Sequence, residues 1–490
     1  MNETPHETPT HVDGHPVVTR PRMTVIGTGY LGATHAVCMA ALGFDVLGVD
    51  VDTAKIARLA AGEVPFFEPG LQELLVEALA SGRLRFTTDY AEAGAFGDVH
   101  FVCVGTPQRK DSLAADLSYV YAAVDALAPH LTRRALVVGK STVQIGTAQA
   151  LTERLHATAP AGTDVDLAWN PEFLREGYAV QDTLTPDRLV FGTSSAWASA
   201  QLAEAFRPVL NRGTPLVECD LATAELVKVA ANSFLATKIS YINAMAEVCE
   251  ATGADVNLLA KALSFDDRIG GRFLKPGLGF GGGCLPKDIR AFAARAAELG
   301  VGQAVSFLHE VDAINTRRRT RTVDLVRELA GGSLTGVRVA ALGAAFKPNS
   351  DDIRDAPALD VARMLHEEGA IVQVYDPEAM DNARRTYPEL TYAESLPAAV
   401  HRADVVVLLT EWAQFRTADP EMMGWLVSHR RVVDGRHALD ADAYRSAGWD
   451  YRALGRPLLP RTVELASSAA DEVDLATALA LAGQAVAGTR

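Results

Sequence analysis

Cysteine is scarce in this chain of 490 residues: Cys38, Cys103, Cys219, Cys249 and Cys284 are scattered, with no C-x-x-C pair. An odd, dispersed set excludes a disulfide framework or a zinc knuckle, and it points to a reducing compartment, so a cytoplasmic location is expected. Long apolar runs are absent too; none approaches the ~18 residues that a membrane-spanning helix needs, so no membrane is expected as a partner. No Lys/Arg block stands out, and 61 acidic residues against 46 basic ones give a net charge of −15. That balance argues against nucleic acid and against an anionic membrane surface. It leaves room for a phosphorylated small ligand, which needs only a local cluster of N–H groups and cations. The first twenty residues are rich in Thr, Pro and His and lack the apolar stretch of a signal peptide, so they read as a disordered tail. His6, His11 and His15 in that tail are read as solvated, and no metal site is expected.

What is present is a composition of 48% hydrophobic and 22% charged residues, ordinary for a globular protein. At about 150 residues per domain the length suggests roughly three domains. From Met23 the pattern is strand, turn, helix, repeated: Thr24-Val-Ile ends at Gly27, a helix follows to about Leu42, and Asp45–Asp50 reads as the next strand. Further strand-like runs are VHFVCV (99–104), ALVVGK (135–140), DLAW (166–169) and RLVF (188–191). The alternation predicts a parallel, doubly wound α/β sheet, with ligands beyond the carboxyl ends of its strands. Gly105-Thr106-Pro107, Ser141-Thr142 and Asn170-Pro171-Glu172 occupy those ends. A long helical stretch without Gly or Pro covers 222–252 and stops at Gly253, as expected for a bridge between two domains. A second α/β region begins near Gly336, with strands at 337–342, 370–376, 404–409 and 430–434. It has no G-x-G-x-x-G, so a second dinucleotide is not indicated. The boundaries that result are a tail at 1–20, a first domain at 21–216, a central helical region at 217–330, a second domain at 331–454 and a tail at 455–490.

Gly27-Thr28-Gly29-Tyr30-Leu31-Gly32 follows a strand and opens a helix, and Asp50 ends the next strand about 20 residues on. In this context Gly27 permits the tight turn, Gly29 the approach of the pyrophosphate, and Gly32 the close packing of helix on strand. The first domain is thus expected to bind NAD through Gly27, Gly29, Tyr30, Leu31 and Gly32. Asp50 is expected to accept from the ribose and select NAD over NADP. A carboxylate ~4 Å from a 2′-phosphate repels it by about 4 kcal/mol per charge pair at an effective dielectric near 20. Lys55 softens this preference, binds the ribose edge, or lies on solvated helix surface.

The segment Gly279-Phe-Gly-Gly-Gly-Cys284-Leu-Pro286-Lys-Asp288 carries the chemistry. The glycines let a ligand approach the backbone, and Pro286 suits the first turn of a helix running to about Leu299, with Gly300 as its stop. Beside a helix N-terminus Cys284 is expected to have a thiol pKa below its ordinary value of about 8.5, which makes it a credible nucleophile. Cys38, Cys103 and Cys249 read as buried apolar filler. Asp288, in the first turn, handles protons or merely complements the dipole. On the long helix Lys228 and Asn232 are four apart and share a face, as a cation and an amide holding an oxyanion would, or as a solvated polar face would.

NPEFLREG (170–177), ELVKVAANSF (225–234), GFGGGCLPKD (279–288) and AFKPNSDDIRDAP (345–357) occur in that order behind the dinucleotide fingerprint. With them the chain closely resembles the UDP-glucose/GDP-mannose dehydrogenase family over about residues 23–450. The resemblance implies an N-terminal Rossmann-like NAD domain, a central helical dimerisation region and a C-terminal Rossmann-like domain for the nucleotide sugar. It implies a homodimer or higher homo-oligomer, with the active site in the cleft between domains. Cys284 resembles the family nucleophile, Lys228 and Asn232 the oxyanion group, Asp288 a residue that handles water and protons, and Glu172 the acid/base carboxylate. Thr142 falls near the reactive water and the nicotinamide; Thr106, Glu176 and Arg354 fall on the cofactor side. Substrate positions are Phe173, Leu174, Arg175, Lys275, Phe280, Gly281 and Lys347, with Arg436 another sugar-nucleotide contact and Arg268 reaching the substrate of the neighbouring subunit. The residue before the cysteine is Gly283, where relatives often carry a bulkier or hydroxylated side chain.

The implied reaction is a four-electron oxidation of the sugar 6-hydroxymethyl through a Cys284 thiohemiacetal and thioester, with UDP-glucose expected as the substrate. Alternatives are another nucleotide sugar such as GDP-mannose or a UDP-N-acetylhexosamine, a two-electron hydroxyacid dehydrogenase, and a catalytically silent NAD-binding protein. The two-electron reading leaves Cys284 without a task. A silent relative has no need of Cys284, Lys228, Asn232, Glu172 and Asp288 together.

Overall fold

A computed structural model describes residues 20–456 of the chain. The expected tails, with His6, His11 and His15, lie outside the described residues except for Arg20, Gly455 and Arg456. The first sheet comprises β1 (Met23–Ile26), β2 (Val46–Val49), β3 (Leu84–Thr87), β4 (Val99–Val102), β5 (Ala135–Gly139), β6 (Val165–Trp169), β7 (Leu189–Thr193) and β8 (Leu216–Cys219). Their order is β3-β2-β1-β4-β5-β6-β7-β8. Every residue of β1, β2, β4 and β5 is buried, because helices cover both faces of the sheet, which is why these strands are legible as short continuous apolar runs.

The sheet departs from the expected all-parallel form. β6 pairs antiparallel with β7, Ala168 opposite Thr193 and Trp169 opposite Gly192, while β8 is again parallel to β7. Between β6 and β7 the chain carries the NPEFLREG loop and one short helix, Ala179–Leu184, and β7 enters the sheet from the end at which β6 leaves it. An apolar run specifies a strand but not its direction, which the connection sets. β3 and β8 are four-residue edge strands, with Arg85 exposed in the first and Val217 and Glu218 in the second, and the sequence reading missed both. β8 straddles the boundary expected at 216.

The second sheet comprises β9 (Arg338–Leu342), β10 (Ile371–Tyr375), β11 (Thr391–Tyr392), β12 (Val405–Leu408), β13 (Arg431–Asp434) and β14 (Asp450–Ala453), ordered β11-β10-β9-β12-β13-β14 and parallel throughout. Its first three strands repeat the arrangement of β3-β2-β1. The likeness extends to a carboxylate: Asp376, just after β10, accepts the Ala344 and Ala345 N–H groups at 2.7 and 3.0 Å, as Asp50, just after β2, accepts that of Thr28. Asp376 also takes the Glu378 and Ala379 N–H groups and the Trp412 indole, so its acceptors are used within its own domain.

Between the sheets runs a helix of 32 residues, Leu221–Thr252, about 48 Å long at 1.5 Å per residue. Asp220 caps its start and Gly253, at φ 76°, ends it. One face packs against the helices Leu285–Glu298 and Phe307–Leu329, and the latter sends Val323, Leu325, Val326 and Leu329 into the core of the second domain. At the far end Glu250 accepts the Gly455 N–H at 2.8 Å, so the last strand of the second domain is tied back to the long helix. Among the described residues no helix is long and apolar enough to cross a membrane.

Candidate active site

The fingerprint helix, Tyr30–Ala41, has Gly29 at its N-cap and no side-chain cap, so its first N–H groups remain for a ligand. A Cβ on Gly29 would meet nothing within 4 Å, whereas one on Gly32 would lie 1.7 Å from the Gly27 carbonyl oxygen. Only glycine permits that helix to start so close to the strand. Asp50 accepts the Thr28 N–H and O–H at 2.8 and 3.0 Å, the Asp52 N–H at 3.0 Å and the Lys55 ammonium at 2.9 Å. Burial opposes the Asp50 carboxylate, but these hydrogen bonds and the Lys55 charge hold its pKa below the usual value. Lys55 is therefore the partner of Asp50 rather than solvated helix surface. Leu31 packs against the first-domain core, and Tyr30 donates its hydroxyl to Glu68. An uncapped helix start, an open Gly29 and an ionised acceptor at the end of β2 fit the pyrophosphate and adenosine ribose of NAD.

The reactive groups converge from three parts of the chain. Cys284 is the N-cap of the helix Leu285–Glu298, and its carbonyl accepts the Asp288 N–H at 3.0 Å. The long helix brings Lys228 and Asn232 to the same place, both buried. Lys228 pairs with Glu172 at 2.9 Å, and Asn232 donates to Asp288 at 2.6 Å. Lys287 holds the other Asp288 oxygen at 2.5 Å. Burial works against the Lys228 ammonium, but Glu172, Cys284 and Asp288 together outweigh it and raise its pKa. A groove lined by Thr106, Thr142, Val229, Lys287 and Asp288 runs from these groups to the first-domain turns, and Thr106 donates to the Thr142 carbonyl at 2.8 Å.

One expectation is reversed. Cys284 is an exposed residue, yet protein is packed densely around its side chain. Burial pushes the thiol up to about 11; Lys228 pulls it down, Asp288 and Glu172 push it up, and Lys287 pulls it down. The helix N-terminus is present as foreseen, yet the enclosing cleft and two nearby carboxylates outweigh it in the free protein. Cys38, Cys103 and Cys249 are buried, as expected of apolar filler.

Other candidates divide. Glu176 is buried against the second domain, accepting from Ser350 at 3.1 Å and Arg354 at 3.2 Å, and Lys347 adds its charge to the same cluster. Glu172 accepts the Leu174 N–H at 2.8 Å, and the centre of the Phe173 ring is 3.7 Å from the Arg188 guanidinium and 5.7 Å from the Lys228 ammonium. Gly281 packs against the Asp355 carbonyl, and a Cβ on Gly283 would fall 2.3 Å from the Arg354 guanidinium carbon. By contrast Arg175 forms a bidentate pair with Asp182 on the surface, and the Phe280 ring is buried with Ala236, Ile289 and Leu308. Arg436 turns inward to the carbonyls of Leu409, Gly279 and Phe346, which ties the glycine loop to the second domain. Lys275 is exposed, and Arg268, paired with Asp266, stands in solvent outside its own chain's cleft.

Sequence reasoning missed the groups that hold this framework. Buried Lys140 donates to Asn170 at 3.0 Å, at the root of the NPEFLREG loop. Glu225 accepts the Gly146 and Ala148 N–H groups at 2.7 and 2.6 Å, and the buried Glu68 accepts those of Gly177 and Ala179. Glu225 lay inside a quoted motif without a role; Glu68 carried no local signal at all.

Three models of the UDP-glucose/GDP-mannose dehydrogenase family match in order: the NAD binding domain over residues 21–210, the central domain over 222–317 and the UDP binding domain over 340–441. The chain is 42% identical over 438 residues to the UDP-glucose 6-dehydrogenase of Rhizobium meliloti (strain 1021), covering 89% of this chain and all of that one. A UDP-glucose dehydrogenase structure from Pyrobaculum islandicum superposes with a TM-score of 0.83 at 39% identity, covering 90% of this chain and 99% of that one. A UDP-D-ManNAc dehydrogenase from Pyrococcus horikoshii does so at 0.78 with 27% identity, covering 89% and 99%.

Proposed function

The chain belongs to the UDP-glucose/GDP-mannose dehydrogenase family, and from that premise we propose that it oxidises UDP-glucose to UDP-glucuronate through a thioester on Cys284. It is an NAD-dependent oxidoreductase with a Rossmann-type NAD domain. The observation that carries the mechanism is the meeting of Cys284, Lys228, Glu172, Asn232 and Asp288 at the start of one helix. Similarity supports glucose as the sugar: the UDP-glucose dehydrogenase structure is 39% identical, the UDP-D-ManNAc enzyme 27%.

NAD, held by the Gly27–Gly32 turn and Asp50, would accept the hydride of each oxidation, one molecule for the first and a second for the next. In the first, Glu172, directly or through a water, takes the proton of the sugar 6-hydroxyl as the aldehyde forms. Cys284 Sγ then adds to the aldehyde carbon, its proton passing to a neighbouring carboxylate, while Lys228 and Asn232 hold the oxygen of the thiohemiacetal. Loss of the second hydride leaves a thioester. Water deprotonated by Glu172 or Asp288 attacks it, which breaks the C–S bond, releases the carboxylate and restores Cys284. Arg354 and Glu176 bridge the two domains beside this centre, and Asp50 selects the unphosphorylated ribose.

We assign the exposed face of the long helix to a homodimer, with Arg268 reaching toward the partner's substrate, and a cytoplasmic location to the protein. A panel of UDP- and GDP-sugars assayed for NADH release tests the substrate. Two NADH per UDP-glucose, with a carboxylate by mass, is the expected result. Cys284→Ala is expected to abolish net acid formation. One NADH per sugar in wild type, together with near-normal turnover in Cys284→Ala, would end the covalent reading.

A further inference from the structure

Glu68 lies just ahead of the helix Leu71–Ala80, outside every motif quoted above, and is 5% exposed. Its carboxylate receives three donors from two distant elements: the Tyr30 hydroxyl, the Gly177 N–H at 2.6 Å and the Ala179 N–H at 2.7 Å. The Gly177 N–H also lies 2.9 Å from the Tyr30 oxygen. The helix Ala179–Leu184 has no side-chain cap of its own, so Glu68 caps it from more than a hundred residues away.

Each donor adjoins a working part of the site. Tyr30 follows Gly29, where the backbone opens toward the pyrophosphate. Gly177 follows Glu176, which bonds Ser350 and Arg354 of the second domain, and the same loop carries Glu172. We propose that Glu68 is a positioning residue that locks the acid/base loop at 172–179 to the phosphate-binding turn of the NAD domain. The assignment rests on reading that loop as acid/base and cofactor contacts, but binding measurements test it without requiring turnover. The Tyr30 hydroxyl is spent on Glu68, so the phenol holds the carboxylate in place while the helix start behind it faces the cofactor. A carboxylate suits this junction because all three partners are donors, and an amide would turn one of its two arms into a fourth donor.

Glu68→Gln keeps the shape and removes that match. NADH affinity, titrated by fluorescence, is expected to weaken roughly tenfold or more, the scale of losing one charge-assisted hydrogen bond. UDP, used alone as the probe of the second domain, should bind within about twofold of wild type, a separation that general loss of structure does not give. Steady-state kcat with UDP-glucose should fall as well. Should Glu68→Gln fail to fold, Tyr30→Phe carries the test, since it removes one donor and keeps the ring's contact with Phe66, 4.8 Å between centroids. It is expected to weaken NADH several-fold with UDP binding intact. Wild-type NADH affinity in a folded variant, or equal weakening of NADH and UDP, would overturn the proposal.

Discussion

At Cys284 two influences oppose each other, and their sizes decide the chemistry available to the free protein. The helix start and Lys228 favour thiolate, while burial, Asp288 and Glu172 favour thiol and leave the pKa at about 11. Alkylation of the free protein by iodoacetamide should therefore accelerate about tenfold per pH unit between pH 8 and 10, since only the thiolate reacts. Lys228→Met removes the principal stabilising charge and should slow alkylation at any pH in that range. A plateau below pH 8 would show the thiol to be acidic after all. Glu176 is pushed up to about 7 by burial and Asp352, against Arg354 and Lys347. Between pH 4.5 and 7 the folded protein keeps a proton that the unfolded chain has lost, so this group's contribution to stability is full below 4.5 and is lost as pH rises through 7. Urea titrations at pH 5 and 7 should show that loss reduced in Glu176→Gln. Gly283 belongs to the same scale: Ala there would meet the Arg354 guanidinium at 2.3 Å. Gly283→Ala should displace that arginine from Glu176 and raise the KM for NAD several-fold, with the fold intact by circular dichroism.

Among the elements, the two central helices act as clamps on the turns of the first sheet. Glu225, on the long helix, caps the helix Thr147–Thr158, and Arg295, on the helix after Cys284, donates to the Ile145 carbonyl at 3.0 and 3.2 Å. The turn between β5 and that helix, which carries Thr142, is thereby fixed relative to Lys228 and Asp288. Glu225→Ala leaves the Gly146 N–H and the buried Ala148 N–H without their acceptor and should cost about 2 kcal/mol by urea denaturation. Replacement by Gln should cost less, because one oxygen remains. A loss within error of zero would mean that water replaces the carboxylate.

For the molecule as a whole, the exposed face of the long helix is the feature that a monomer leaves unexplained. Phe234, Tyr241 and Val248 recur every seven residues and are 66%, 50% and 52% exposed. Large aligned apolar side chains on a helix that forms the spine of the chain are the pattern of a buried two-fold contact. Tyr241→Asp should shift the mass measured by light scattering from dimer to monomer. Activity should fall with it if Arg268 completes the partner's site.

The sequence by itself determined what depends on neighbours within a few residues. The fingerprint from Gly27 to Gly32, Asp50 at the end of the second strand, the span and stop of the long helix, and Cys284 at a helix start were all legible, because turn sterics, helix stops and apolar runs act locally. The tertiary structure decided what depends on groups far apart in the chain. β7 runs against β6 because of the connection between them, and β3 and β8 are short edge strands that are not buried on both faces and so carry no continuous apolar run. Arg175 and Arg436 turn to Asp182 and to backbone carbonyls rather than to open cleft. Glu68, Lys140 and Glu225 find their partners across 30 to more than 100 residues. The Cys284 thiol departs furthest from its local reading, since its proton is governed less by the adjacent helix than by burial and by carboxylates that only the folded chain brings near. Desolvation and charge pairing are properties of the assembled cleft, and a linear sequence carries no direct record of them.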